Sequence, residues 1–120
     1  MIDEKMIENA QNEARERIKR EVIELCAYEG YADEADAKIL AENASSDFTL
    51  RDIEEASEWL LDLMETEDDL VEFFLWQELI VDGNTYCWIN PVDSYSWKDY
   101  IEDDVKVALG LIKAEEACWA

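Results

Sequence analysis

The chain has 120 residues, and its 32 Asp and Glu against 10 Lys and Arg leave a formal charge of −22. This charge excludes direct binding to nucleic acid or to an anionic membrane, because both need clustered cations. The apolar share is 49%, so a folded domain is predicted instead of a disordered acidic tail.

The first 30 residues predict one long helix, from residue 3 to residue 28, with Gly30 placed to end it. Apolar residues recur along it at intervals of three and four: Ile7, Ala10, Ala14, Ile18, Val22 and Leu25. Eight acids and five bases up to residue 30 give this segment the charge of an ordinary solvated helix. A second helix is predicted over residues 33–43, followed by a loop at Ser45-Ser46-Asp47.

Two capping boxes and one further helix cap are predicted in the rest of the chain. Thr49-Leu50-Arg51-Asp52, with Phe48 and Ile53 as a hydrophobic staple, begins a helix from about residue 50 to 65. Thr66-Glu67-Asp68-Asp69 caps the next helical segment. Ser96-Trp97-Lys98-Asp99, with Tyr95 and Tyr100 as staple, begins a last helix over residues 97–118. We expect this last helix to bury its apolar side: Trp97, Ile101, Val105, Ala108, Leu109 and Ile112.

The segment after the second of these caps is largely apolar, and two structures are open for its end. Asp82-Gly83-Asn84 lies between two runs of β-branched and aromatic residues, which is typical of a hairpin turn. Alternatively, a helix ends at Gly83. The predicted fold is therefore mainly α, a compact bundle of about four to five helices in one domain over residues 1–120, with a short β-hairpin near 79–89 left open.

The chain shows no signs of export, of membrane insertion or of a metal site. Its longest strongly apolar stretch, residues 71–76, is interrupted by Glu72 and is far below the roughly 20 residues that span a bilayer. No apolar segment follows the charged start, so a cytoplasmic location is expected. Cys26, Cys87 and Cys118 form no C-x-x-C pair and are expected to be buried thiols, not zinc ligands or disulfides. No cofactor is predicted.

The acidic residues are concentrated in the middle of the chain. Thirteen Asp and Glu and no Lys or Arg occur in the 46 residues between Arg51 and Lys98. On a helical wheel, Glu54, Glu55, Glu58, Asp62 and Glu65 lie opposite an apolar side. Acids of this set that lie three or four residues apart repel each other, which destabilises an isolated helix by about 1 to 2 kcal/mol in total. If residues 52–82 were one helix, its twelve acids would be spaced on average about 4 Å apart along the helix axis. This is close to the roughly 3.4 Å spacing of phosphates along a DNA strand.

A second acidic cluster starts the last helix, where acids also favour the helix dipole. It comprises Asp99, Glu102, Asp103 and Asp104. The residues predicted to contact a basic partner are drawn from both clusters: Glu54, Glu55, Glu58, Asp62, Glu65, Asp68, Asp69, Glu72, Asp103 and Asp104.

Small size, helical pattern, absence of His and the base-free stretch from Asp52 to Asp93 together suggest a class of protein. In these features the chain resembles small acidic phage-encoded DNA-mimic inhibitors, the anti-restriction and anti-CRISPR proteins, whose carboxylates stand in for phosphates. The resemblance implies a non-catalytic inhibitor in the host cytoplasm. Its partner would be a basic DNA- or RNA-binding protein or complex of the host.

Four other interpretations are open. The charge can belong to a solvated face of a soluble helical domain. An immunity protein or antitoxin that neutralises one basic nuclease would also be small, acidic and helical. An enzyme is disfavoured, since no nucleophile–base pair can be assembled without His. Calcium binding at Asp33-Glu34-Ala35-Asp36 or Glu67-Asp68-Asp69 lacks the glycine and the final Glu of an EF-hand loop.

Aromatic residues gather around Pro91: Trp88, Tyr95, Trp97 and Tyr100. These residues can either pack in the hydrophobic core or anchor an interface with a partner, and the same two roles are open for Trp59 and Trp119. A homodimer, which would lengthen an acidic surface, is also open.

Overall fold

A computed structural model describes residues 2–47, 58–76, 78–87 and 96–117, which are mainly helical. Five α-helices occur in these ranges: α1 Glu4–Glu29, α2 Glu34–Asp47, α3 Glu58–Leu63, α4 Glu67–Phe74 and α5 Trp97–Ala108. Two strands, β1 Glu78–Val81 and β2 Asn84–Cys87, form an antiparallel pair, and a 3-10 turn covers Ala114–Glu116. This confirms the predicted fold class. None of the helices in the described ranges combines the length and the apolar character that a membrane span requires.

The described residues group into two compact units. The first, which we call the acidic unit, contains Met1–Ala14 and Leu50–Ser94, and the second, which we call the mixed-charge unit, contains Arg15–Thr49 and Tyr95–Ala120. The boundary at residue 14 falls inside α1, so one helix contributes to both units. The organisation as a single domain stays a prediction.

In the mixed-charge unit, three helices bury periodic apolar faces. α1 buries Ile18, Val22 and Cys26 at intervals of four residues, and burial raises the pKa of the Cys26 thiol. α5 buries Trp97, Ile101 and Val105, and it packs against α2. The buried side of α2 consists of small residues: Ala37, Ala41, Ala44 and Ser45.

In the acidic unit, residues before and after Thr66 in the sequence both contribute to the core. α3 and the turn after it bury Leu60 and Met64. α4 packs against β1 and buries nearly all of its apolar residues: Leu70, Val71, Phe73 and Phe74, followed by Leu75. The rings of Phe73 and Phe74 meet edge to face, with centroids 5.4 Å apart.

The hairpin left open by the sequence is present between β1 and β2. Val81 pairs with Asn84, so the turn is the two residues Asp82 and Gly83, with φ of 52° and 79°. Positive φ at both positions is the geometry of a type I′ turn, in which the backbone twist matches that of the strands. The alternative, a helix that ends at Gly83, is wrong.

The predicted end of the second helix is also wrong. α2 continues through the predicted loop at Ser45-Ser46-Asp47 and ends at Asp47. The hydroxyls of Ser45 and Ser46 both donate to the carbonyl of Glu42, at 3.0 and 2.9 Å, so these serines satisfy their polar groups within the helix. Burial of Ser45 beside Ala44 and Ala41 holds this last turn in the core.

The last helix is much shorter than the predicted 97–118, because α5 ends at Ala108. Gly110, at φ 73°, donates to the carbonyl of Val107 at 3.0 Å, and Leu111 donates to that of Lys106 at 2.8 Å. These two hydrogen bonds form a Schellman motif, which Gly completes without the steric cost of a Cβ. The burial predicted for Ala108 is wrong, since it is exposed, and Leu109 is only half-buried.

Candidate polyanionic interaction surface

The fold divides the charge unevenly between the two units. Among the described residues, the acidic unit has 13 acids and one base, Lys5, a net of −12 in 42 residues. The mixed-charge unit has 15 acids and eight bases, a net of −7 in 55 residues. The uncompensated charge is therefore concentrated in the unit that contains α3, α4 and the hairpin.

Lysines of the mixed-charge unit pair with carboxylates of the same unit. Lys19 Nζ lies 3.2 Å from Glu42 Oε1 and 3.5 Å from Glu16 Oε1. The hydrogen bond to Glu42, with Glu16 alongside, raises the pKa of Lys19. Three further pairs are Lys38 with Glu34 at 3.3 Å, Lys98 with Glu21 at 3.8 Å and Lys106 with Glu102 at 3.3 Å.

The predicted contact residues of the middle segment fall into three groups. Glu54 and Glu55 lie outside the described residues, as does the predicted cap at Thr49. Glu58 and Asp62 both lie on α3, and the side chain of Asp62 is exposed. Four more lie on α4 or just before it: Glu65 and Asp68, which are exposed, and Asp69 and Glu72, which are half-buried.

The arrangement differs from one continuous charged rod. α3 ends at Leu63, α4 begins at Glu67 and β1 begins at Glu78, so residues 52–82 do not form the single helix on which the 4 Å spacing depends. Charge in the acidic unit is presented by short elements instead. The chain therefore resembles a DNA strand in the amount of its charge and not in a regular spacing of that charge along one axis.

Asp69 has a structural role that accounts for a carboxylate at this position. Its Oδ2 accepts hydrogen bonds from the backbone N–H groups of Glu65 and Thr66, at 2.8 and 3.1 Å. In return, the Thr66 hydroxyl accepts from the N–H of Asp69 at 3.2 Å, so the predicted cap is present and forms a full capping box. We therefore expect this carboxylate to stabilise α4 first and to contribute least to a partner.

Replacing Asp69 by Ala is expected to lower the free energy of unfolding by about 1 kcal/mol, since two backbone donors at the start of α4 lose their acceptor. The matched variant Asp62→Ala removes an exposed carboxylate on α3 and should change stability by less than about 0.5 kcal/mol. Urea denaturation followed by circular dichroism measures both. Equal losses in the two variants would contradict this role of Asp69.

The second predicted cluster lies in the other unit. Asp103 and Asp104 are half-buried on α5, in the mixed-charge unit. Lys106 of the same helix has its pKa raised by Glu102, with a smaller contribution from Asp103. The structure thus does not group these two acids with those of α3 and α4, and a cation accompanies them.

The sequence interpretation missed the start of α1. Asp3, Glu4 and Glu8 belong to the acidic unit, and all three are exposed. The side-chain amide of Asn9 donates to Glu67 Oε1 at 3.0 Å, which ties this part of α1 to the start of α4. A finer count would have found them, because residues 1–14 hold four acids and one base whereas residues 15–30 hold four of each.

The acidic clusters considered for calcium are explained by helix capping. Asp33 Oδ1 accepts from the N–H of Asp36 at 2.8 Å and so caps α2, as Asp69 caps α4. Within the described ranges, no three carboxylate or thiol side chains come together in a way that could hold a metal ion.

Two of the aromatic residues are located by the described structure. Trp97 is buried in the core of the mixed-charge unit, and Lys98 Nζ lies 5.7 Å from the centre of its ring. Tyr100 is half-buried on α5. Trp88, Tyr95 and Trp119 lie outside the described residues.

Comparison with protein-family models, with curated proteins and with solved structures finds no match to this chain. The resemblance to DNA-mimic inhibitors consequently stays an interpretation of size, pattern and charge.

Proposed function

We propose that this chain is a non-catalytic acidic inhibitor that acts as a DNA mimic in the cytoplasm of a phage-infected bacterium. Its carboxylates would occupy the basic nucleic-acid-binding surface of a defence complex, of the anti-CRISPR or anti-restriction kind. The observation that carries the proposal is the uneven division of charge, −12 among the described residues of the acidic unit against −7 among those of the mixed-charge unit.

The physical basis is electrostatic complementarity. A surface that binds DNA presents Lys and Arg at the spacing of phosphates, and exposed carboxylates such as Asp62, Glu65 and Asp68 offer charge-assisted acceptors to the same groups. A net charge this large costs the folded chain self-repulsion, which a cationic partner relieves on binding. Binding would therefore be steered over a long range and would weaken with added salt.

The test begins with capture of binding proteins from a bacterial lysate, followed by a competition assay with the purified target. We expect duplex DNA to displace the chain from this target, and affinity to fall at least about tenfold between about 50 and about 200 mM salt. A target that binds the chain and DNA at the same time would overturn the proposal. Tight, salt-insensitive binding to a single nuclease, away from its DNA surface, would instead support the immunity-protein alternative.

A further inference from the structure

We infer that ionic strength controls the local stability of the acidic unit separately from that of the mixed-charge unit, so that dissolved cations hold the acidic unit in its ordered state. This is a conformational property of the fold itself and involves no partner.

The first step is the strength of the self-repulsion in each unit. Electrostatic self-energy grows with the square of the net charge. The sequence of the acidic unit holds 17 acids and two bases, a net of −15, against −7 for the mixed-charge unit, so its repulsion is more than four times as large. The two units have nearly the same number of residues, 59 and 61, so their charge densities differ as their net charges do. Screening by salt therefore relieves much more repulsion in the acidic unit.

The second step is what salt weakens. In the mixed-charge unit, attractions such as Lys19 with Glu42 and Lys98 with Glu21 are exposed or half-exposed, and salt screens them along with the repulsions. The two effects oppose each other there. The net response of the mixed-charge unit to salt is therefore smaller than its charge alone would give.

The third step is what holds the acidic unit together. Its described contacts include the capping box of Thr66 and Asp69, the hydrogen bond from Asn9 to Glu67 and the buried rings of Phe73 and Phe74. Such short-range hydrogen bonds and apolar contacts are little affected by screening. The sequence of this unit holds two bases, Lys5 and Arg51, against 17 acids, so attractions within it are outnumbered by repulsions and added salt relieves mainly repulsion.

Hydrogen exchange of the full chain, read by mass spectrometry at about 10 and about 150 mM NaCl, tests this. Over that range the Debye length falls from roughly 30 to 8 Å. We expect amides of α4 to exchange about threefold or more slowly at the higher salt, and amides of α5 to change by less than about 1.5-fold. Sucrose at equal osmolality is the uncharged control and should not reproduce the difference.

Two variants with the same change in charge assign the effect to the acidic unit. Asp62→Asn with Glu65→Gln neutralises two exposed acids of that unit, and Glu115→Gln with Glu116→Gln neutralises two exposed acids of the mixed-charge unit. The first pair should reduce the salt response of α4, and the second should leave it unchanged. Equal slowing of α4 and α5, or equal effects of the two pairs, would overturn the inference. Because no partner takes part, that failure would leave the proposed function standing.

Discussion

Neutralising Asp62, Glu65 and Asp68 together is expected to weaken binding to a DNA-binding target by about 10- to 100-fold. The substitutions Asp62→Asn, Glu65→Gln and Asp68→Asn keep the shape of each side chain and an acceptor oxygen. Each lost contact between exposed opposite charges is worth about 0.5 to 1 kcal/mol, and three such losses add to a factor of this size. Fluorescence anisotropy with the purified target measures the change.

The same variant should stay folded, because all three side chains are exposed and none belongs to the apolar core of the acidic unit. This separates it from a variant that fails to bind because it unfolds. The matched control is Glu24→Gln with Glu115→Gln and Glu116→Gln, three exposed acids of the mixed-charge unit. If that control loses as much affinity as the first variant, the contact surface is not in the acidic unit and the assignment is wrong.

Replacing Phe73 by Ala is expected to cost about 3 to 5 kcal/mol of unfolding free energy, several times the loss expected for Asp69→Ala. Phe73 is 1% exposed, and its ring packs edge to face on Phe74. The loss combines the buried apolar area of the ring, the cavity that is left and the aromatic pair. A domain of this size has about 5 to 15 kcal/mol in total, so the acidic unit would be close to unfolding.

Urea denaturation at about 150 mM salt measures this loss. The control is Phe73→Leu, which keeps most of the volume and should cost less than about 1.5 kcal/mol. A loss of less than about 1 kcal/mol for the Ala variant would mean that Phe73 is not the core residue that its burial indicates. The experiment also bears on the proposed function, since a contact surface on α3 and α4 needs this core to hold those helices.

Local sequence signals predicted several elements correctly. The capping boxes at Thr66 and Ser96 begin α4 and α5, because a hydroxyl and a carboxylate three residues apart satisfy backbone donors without help from the rest of the chain. The end of α1 at Gly30 is local in the same sense, whereas the turn at Gly83 was left open between a hairpin and a helix end.

Other boundaries depended on competition between signals. Gly110 ends α5 although the apolar pattern continues through Ile112, since the Schellman hydrogen bonds outweigh the continuing periodicity. Ser45 and Ser46 look like loop residues, yet α2 extends through them because its small side chains are buried. Tertiary burial, which a local pattern does not contain, decided the second of these cases.

For the candidate site too, some features follow from the sequence and others only from the tertiary structure. The surplus of acid and the absence of cations between Arg51 and Lys98 are properties of the sequence, and they predict a basic partner without any coordinates. The sequence also predicts exposure at Asp62 and Glu65, which the structure has. It could not separate Asp103 and Asp104 from these residues, because membership of a compact unit depends on contacts between distant parts of the chain. The surplus of acid at the start of α1, which includes Glu4 and Glu8, is visible in a local count of residues 1–14.

By itself, then, the sequence determined the helical class, the main helix starts and the sign and size of the charge, since these follow from residue type and local spacing. Only the tertiary structure decided that the charge is divided between a unit with almost no described cations and a unit that pairs its lysines internally. The reason is that electrostatic compensation depends on distance in space, and folding brings the first turns of α1 to α4 from 58 residues away along the chain.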